Sequence, residues 1–331
     1  MRSHRVCRHR SLGLHCGLMM IALMMGPRVL LGGETIRVGA LAYGTLAWEI
    51  AALPQAPESN PSFQIDLETL AGPEAGRIAL LGGAVDLIVT DWIWVADQRL
   101  KGEDFTFVPF SGLHGALVVP SQSSIRSLAD LPGKRLGIAG GALDKNWQLL
   151  REAARRTAQL DLEQAATLTF AAPPLLSETL KQGRLDAILT YWNQAALLEA
   201  QGYRRVLDGP RLEALLGLET LPPTLGYVFR ERWANTHEPA LRGFLAATQE
   251  ARRALCQEDR RWKAIHREIQ APNEEARTAL RAAYCAQPTP KIQQDQLAAA
   301  RTLYGWLDRG GAKGQTLPSG VFYRIPPGEG P

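Results

Sequence analysis

The residues of this chain best suited to chemistry are aromatic and small polar groups at or just after strand-like runs. They are Trp48, the pair Asp91-Trp92, Ser111 with His114 close behind, Gly140-Gly141 ahead of Asn146 and Trp147, and Tyr191-Trp192. Residues at strand ends of an open α/β fold converge on one crevice, so this recurrence predicts a ligand cleft walled by distant parts of the chain. The chemistry on offer is binding. Rings beside a carboxylate suit a cationic amine or a flat heterocycle, through π contacts and a charge-assisted hydrogen bond. Ser111 can hydrogen-bond a polar solute or merely turn the chain. Gly140-Gly141 free backbone N–H groups at a helix start, although Asp144 in the first turn already uses that dipole and disfavours an anion. Trp48 can line the cleft or pack its helix on a sheet. Of Trp92 and Trp94, two apart in a strand or turn, one packs and one lines the cleft, and the place after Asp91 selects Trp92. Asp91, Glu49 and Asp144 stand against no evident cleft arginine, which favours a cationic or neutral nitrogenous solute over a sulfonate.

Reactive constellations are missing from the sequence. It carries no Gly-x-Ser-x-Gly elbow, metal-ligand cluster, paired-carboxylate motif or nucleotide-binding Gly-x-x-x-x-Gly-Lys spacing, so no catalytic residue, metal or cofactor is assigned.

The N-terminus reads as a targeting segment. Arg2, Arg5, Arg8 and Arg10 precede the uncharged apolar run from Gly17 to Met25, and Gly32-Gly33 closes it, the order of a secretory signal peptide. The run is too short for a membrane span, and Cys16 precedes it, which argues against a lipid anchor. Removing residues 1–33 takes away five basic residues, so the 37 basic residues become 32 against 33 acidic, a net charge of −1. The precursor's basicity is then no sign of nucleic-acid binding. Roughly 300 residues remain, enough for two modest domains. Cys256 and Cys285 also remain, in helix-like segments, and could form a disulfide or stay as buried thiols.

The elements that position the candidate residues alternate. Ile36 to Leu41 reads as a strand, Leu46 to Leu53 as a helix stopped by Pro54, and Phe63 to Leu70 as a half-buried alternating strand. Glu74 to Leu81 is helical, and Val85 to Thr90 is apolar throughout, as a doubly covered parallel strand should be. Phe105 to Phe110 and Ala116 to Val119 are extended. After Pro120 the pattern repeats: strands at Arg135 to Ala139, Thr167 to Phe170, Leu185 to Thr190 and Arg204 to Leu207, with helices at Asp144 to Thr157, Pro174 to Lys181 and Asn193 to Gln201. Thr224 to Phe229 is a return crossing, followed by helices at His237 to Cys256, Arg260 to Ile269, Glu274 to Ala286 and Gln293 to Gly310. The order predicts an α/β fold of two lobes, residues 34–118 with 222–331 and an inserted 119–221, with hinges at Leu117 to Pro120 and Thr224 to Tyr227.

Several of these stretches resemble the periplasmic solute-binding proteins of nitrate-, sulfonate- and taurine-type ABC importers. They are Ile36-Arg37-Val38-Gly39, Gly44 to Glu49, Gly83 to Asp91, Ser127 to Gly137, and the second-lobe Gln182 to Ile188. Ser127-Leu128-Ala129-Asp130-Leu131-Pro132-Gly133-Lys134 is the most specific of them, and Pro54, Pro57 and Pro61 depart from the family pattern. The resemblance implies a type II periplasmic-binding fold with a mixed sheet flanked by helices in each lobe and two crossover strands. It also implies a periplasmic monomer that closes on a small solute and presents it to ABC permease subunits, with no nucleic-acid partner. The alternative role is ligand sensing without transport. An enzyme of pyrimidine-synthesis type on the same fold is a weaker fit, because those proteins rely on a cysteine-rich segment and histidines, whereas here Cys256 and Cys285 are widely spaced and His114, His237 and His266 are scattered.

Overall fold

A computed structural model describes residues 33–53, 63–220, 222–286, 293–307 and 315–325. The expected signal segment up to residue 32, Pro54, Pro57 and Pro61, and the stop at Gly310 to Gly314 lie outside the described residues.

Two five-stranded sheets form the frame. The first half of the chain runs β1 (Glu34–Leu41), α1 (Thr45–Ala51), β2 (Phe63–Leu70), α2 (Pro73–Leu81), β3 (Leu87–Asp91), α3 (Trp92–Leu100) and β4 (Phe105–Ser111). The second runs β5 (Ala116–Val119), β6 (Arg135–Ala139), α4 (Lys145–Ala158), α5 (Leu162–Ala165), β7 (Thr167–Ala171), α6 (Pro173–Lys181), β8 (Ala187–Thr190), α7 (Trp192–Glu199), β9 (Arg204–Leu207) and α8 (Gly209–Leu216). The chain returns as β10 (Leu225–Arg230) and ends in α9 (Glu231–Thr236), α10 (Glu238–Gln257), α11 (Asp259–Ala264), α12 (His266–Ile269), α13 (Glu274–Cys285) and α14 (Gln294–Trp306).

The sheet orders are β2-β1-β3-β10-β4 and β7-β6-β8-β5-β9. In each, the first three strands pair in parallel and the fourth runs antiparallel to both its neighbours. This is the expected two-lobed, mixed α/β architecture with two crossings. β5 pairs with β8 and β9, so Ala116–Val119 belong to the second sheet, and a boundary after residue 118 would cut that strand.

The repeated Gly-x-x-Asp elements have one physical cause. Gly83 and Gly183 adopt φ of 71° and 68°, a left-handed turn that a side chain would strain. Three residues on, Asp86 accepts the Arg37 backbone N–H at 2.9 Å and pairs with its guanidinium, which also donates to the Gly83 carbonyl at 2.7 Å. Arg135 repeats this with Asp186 at 2.8 Å and with the Gly183 carbonyl at 3.0 Å. Exposed ion pairs add little stability. Here they tie the helix-to-strand turn to the neighbouring parallel strand.

Where the structure differs from the sequence reading, burial explains it. Trp92 and Trp94, expected in a strand or turn, begin α3, whose first five residues are all buried, so no helical period shows there. Asp91 caps it by accepting the Trp94 N–H at 2.8 Å. A further helix, α8, follows β9 directly and is capped by Asp208. β2 is an edge strand, and its Leu67 is exposed despite the alternating pattern. The free edge of β4 is met by the tail, where the Tyr323 N–H donates to the Phe107 carbonyl at 2.9 Å.

The C-terminal helices complete the first half. α10 buries Leu241, Phe244, Thr248, Ala251 and Leu255 along one stripe, and its last turn carries Cys256. Cys256 is bonded to Cys285 at the end of α13, with Cα atoms 5.6 Å apart, which decides between disulfide and thiols. Closing a loop of this length is worth about 3–4 kcal/mol through the unfolded chain. Reducing the purified protein should lower its stability by that order in denaturant titrations. An unchanged midpoint under reductant would show that the bond does not stabilise the fold.

Candidate functional site

A cleft of about 900 Å3, part of it open to solvent, lies where the carboxyl ends of β1 and β3 face those of β6 and β8. The first half lines it with Leu41 and Tyr43 to Leu46 at the β1–α1 turn, with Pro73, Gly76 and Arg77 from α2, and with Ile88 to Asp91 from β3. The second half adds Asp144, Lys145 and Asn146 at the start of α4 and Tyr191, Trp192 and Asn193 at the start of α7. Leu113 and Gly115 from the first crossing and Leu225 from the second also line it. Both halves therefore present strand ends and helix starts to one space, the position where open α/β sheets hold ligands.

The halves also touch across the cleft. Asn193 Nδ2 donates to the Tyr43 carbonyl at 3.0 Å, and the Tyr43 and Tyr191 rings lie 6.4 Å apart.

Most polar groups here answer one another. Arg77 is buried, pairs with Asp91 at 2.6 Å and Glu74 at 3.0 Å, and lies over the Trp94 ring. Burial is the largest influence on its guanidinium and pulls it down, but Asp91, Glu74 and Asp144 together hold it above its ordinary value. Asp144 Oδ1 accepts the Asn146 backbone N–H at 2.8 Å and its Nδ2 at 3.1 Å, while Oδ2 accepts the Tyr191 hydroxyl at 3.2 Å. Burial, then the Asp144 charge, pushes the Tyr191 hydroxyl far up and raises Tyr43 as well. Both phenols are therefore hydrogen-bond donors at neutral pH.

Of the residues singled out in the sequence, Asp91, Asn146, Tyr191 and Trp192 line the cleft. Three tryptophans do not. Trp48 is fully buried, donates Nε1 to the Glu268 carbonyl at 2.9 Å and packs edge-on to Trp192 at 5.9 Å. Trp92 is buried against Tyr304 and Phe322, and Trp147 against Phe170. Each begins or shares a helix whose buried face is aromatic, and packing claims the ring. Ser111, buried at the end of β4, accepts the Leu113 N–H at 3.1 Å and turns the chain. His114 packs on Gly209, and burial, then Lys145, pull its imidazole down to about 4, so it is neutral. Gly140, with φ of 83°, and Gly141 stand beside Asp144 and Tyr191 and off the cleft wall.

The expected absence of a cleft arginine is corrected by Arg77, and Lys145 adds a second cation. Arg77 sits one turn into α2, on a helix that the sequence reading left outside the site. Lys145 was passed over beside the capping Asp144. Asn193 directly follows the expected Trp192, whereas Tyr43 lies in the β1–α1 turn ahead of Trp48. Glu49 faces away from the cleft. It is buried, with Oε1 accepting the Tyr284 hydroxyl at 2.7 Å, Oε2 accepting that of Tyr227 at 3.3 Å, and Arg252 3.9 Å away. Burial pushes its carboxyl up to about 7 against the lowering effect of Arg252 and the two tyrosines. Among the described residues no group of His, Cys, Asp or Glu is placed to hold a metal ion, and no helix is long and apolar enough to cross a membrane.

The model of the NMT1/THI5-like family matches residues 65–260. No curated protein matches the chain in sequence. The structure is similar to the periplasmic aliphatic sulphonate binding protein SsuA of Escherichia coli, with a TM-score of 0.62 at 19% identity over 82% of this chain and 90% of that one. It is similar to the alkanesulfonate-binding SsuA of Xanthomonas axonopodis bound to MOPS, with a TM-score of 0.63 at 20% identity over 88% and 98%. It also resembles the periplasmic nitrate-binding protein NrtA of Synechocystis, with a TM-score of 0.55 at 13% identity over 73% and 69%. At these identities the likeness establishes the two-lobed fold and carries no ligand across.

The Glu49 network yields a pH test. Glu49 binds its proton up to about pH 7 in the folded chain, against an ordinary 4.5, so the folded state holds more protons between those values. Its contribution to stability is therefore lost as pH rises through 7. Glu49→Gln keeps hydrogen-bonding groups and removes the charge, so it should raise the melting temperature at about pH 8 and change it little at about pH 5. Parallel pH profiles for the two proteins would contradict a proton held on Glu49.

Proposed function

The chain belongs to the NMT1/THI5-like family, and on that premise we propose that it is the solute-binding component of an ABC importer. After removal of residues 1–33 it works in the periplasm as a monomer, closes its two lobes on a small solute and presents it to permease subunits in the membrane. The observation that carries this reading is the cleft itself. Strand ends of both sheets line it, and a hydrogen bond from Asn193 to Tyr43 already joins its two sides. An open form binds solute on one lobe, and the closed form gains the contacts of the other, so solute shifts the population toward closure.

Tyr43, Tyr191 and Trp192 form the aromatic part of the site. Asp91 holds Arg77 in place behind it, and Asn146 holds the first crossing by accepting the Gly115 N–H at 3.0 Å. Solute identity is set by what fits among these groups, and the family resemblance narrows the search to small nitrogenous, aromatic or oxyanionic compounds.

Thermal-shift measurements against amines, pyrimidines, sulfonates, nitrate and small carboxylates test the proposal. A true solute at about a hundred times its Kd should add about 2.7 kcal/mol of apparent stability. Asn193→Ala removes the bond across the cleft and should weaken that solute about two- to tenfold with the fold retained, as loss of one hydrogen bond predicts. A silent panel, or solute binding indifferent to Asn193→Ala and Tyr191→Ala together, would contradict capture between the lobes.

A further inference from the structure

We propose that Glu49 positions the walls of the cleft as a proton switch, holding them in the bridged arrangement while its carboxyl is protonated and loosening them when it ionises. The inference rests on the reading that the two halves close on a solute. Glu49 is 1% exposed and reaches three parts of the cleft wall through one partner each. Tyr284, whose hydroxyl donates to Oε1 at 2.7 Å, stacks on Trp192 at 6.2 Å. Tyr227, 3.3 Å from Oε2, lies in the return crossing two residues after Leu225. Arg252, 3.9 Å away, donates to the Phe110 carbonyl at 2.9 Å. Trp192, Leu225 and Phe110 all line the cleft. Phe110 is also the residue that the β4–β10 register skips, with Leu225 opposite Ser111 and Gly226 opposite Pro109. The Arg252 contact therefore sits on a bulge where both crossings meet the first sheet.

Counting hydroxyl protons assigns the protonated form to this arrangement. Tyr227 has one proton and two acceptors within reach, Glu49 Oε2 and Thr248 Oγ1, the latter at 3.0 Å. Thr248 donates its own proton to the Phe244 carbonyl at 3.1 Å. A proton on Oε2 completes the row, with Glu49 donating to Tyr227, Tyr227 to Thr248 and Thr248 to the backbone. A bare carboxylate leaves the row one proton short and, being buried, calls for a closer cation.

The groups that face Glu49 leave one candidate for that cation. α10 presents Arg252, β10 presents Tyr227 and α13 presents Tyr284. Of the other elements packed on α1, β1 sets Glu34 beside His237 and pairs Arg37 with Asp86. α11 turns Arg261 to the Ala52 carbonyl at 3.4 Å. α12 carries His266 and Arg267 exposed, and its Glu268 meets α1 through the carbonyl that accepts Trp48. Ionisation therefore draws Arg252 toward Glu49 and away from Phe110. Burial pushes the carboxyl up to about 7, which places the change at neutral pH. Linkage fixes the direction: if the proton favours closure, closure favours the proton, so rising pH opens the cleft.

Spin labels at Glu68→Cys on β2 and Leu175→Cys on α6, both exposed, report the separation of the two halves by double electron–electron resonance with no solute added. The wide-separation population should rise about threefold or more between about pH 6 and about pH 8.5. Glu49→Gln, neutral throughout, should stay narrow at both. Tyr284→Phe keeps the ring on Trp192 and removes a donor that lowers the Glu49 carboxyl, so its midpoint should move to higher pH. Distances that ignore pH, an equal response in Glu49→Gln, or an unmoved midpoint in Tyr284→Phe would overturn the switch. Solute capture would stand, because the thermal-shift panel tests it separately. A pH response abolished by Glu49→Gln beside a silent panel would uphold the switch and overturn the solute reading.

Discussion

A carboxylate taken out of water has to be met by donors or a cation, and the cleft of this protein is organised around that requirement. Asp91 ends β3, caps α3 and holds Arg77 of α2, so one buried side chain fixes the relative placement of three elements. Asp144 does the same on the opposite side, where it caps α4 and holds Tyr191 and Asn146. Asn146 then reaches the first crossing at Gly115, where a Cβ would lie 2.6 Å from the Thr190 carbonyl. The acidic residues that look most like ligand groups are thus the scaffold of the site. What else lines the cleft is Tyr43, Tyr191, Lys145 and an apolar wall.

A second constraint couples the site to the rest of the molecule. Trp192 lines the cleft and also joins a cluster with Trp48 of α1, Trp262 of α11 and Tyr284 of α13. Edge-to-face and stacked aromatic pairs of this kind hold their geometry more tightly than aliphatic contacts do. α13 is in turn tied to α10 by the disulfide. Any displacement of α7 would therefore be transmitted to the C-terminal helices as well as to the cleft wall.

Strands, their order along the chain and the convergence of their ends were legible in the sequence, because apolar runs and glycine turns report them directly. The matched Gly83–Asp86 and Gly183–Asp186 turns were visible for the same reason, and the structure supplies their arginine partners. α3 was not legible, since its first five residues are all buried and apolar and its polar residues come only in the last turn. The tryptophans misled for a related cause. A large ring after a strand end is equally at home in a cleft or a core, and only the neighbours Tyr304, Phe322 and Phe170 decide. Arg77 was missed because it sits one turn into α2, a helix not expected at the site, and Lys145 because it follows the conspicuous cap Asp144. Their value lies in which partners they have, and pairing is a property of three dimensions.

The claim that matters most is capture of a small molecule between the two halves. Native mass spectrometry of the protein, after incubation with the small-molecule fraction of a bacterial extract, tests it most directly. One adduct of defined mass is predicted on the unaltered protein, and it should disappear when Tyr43 and Tyr191 are both replaced by Ala. No adduct, or one that survives those substitutions, would contradict the account.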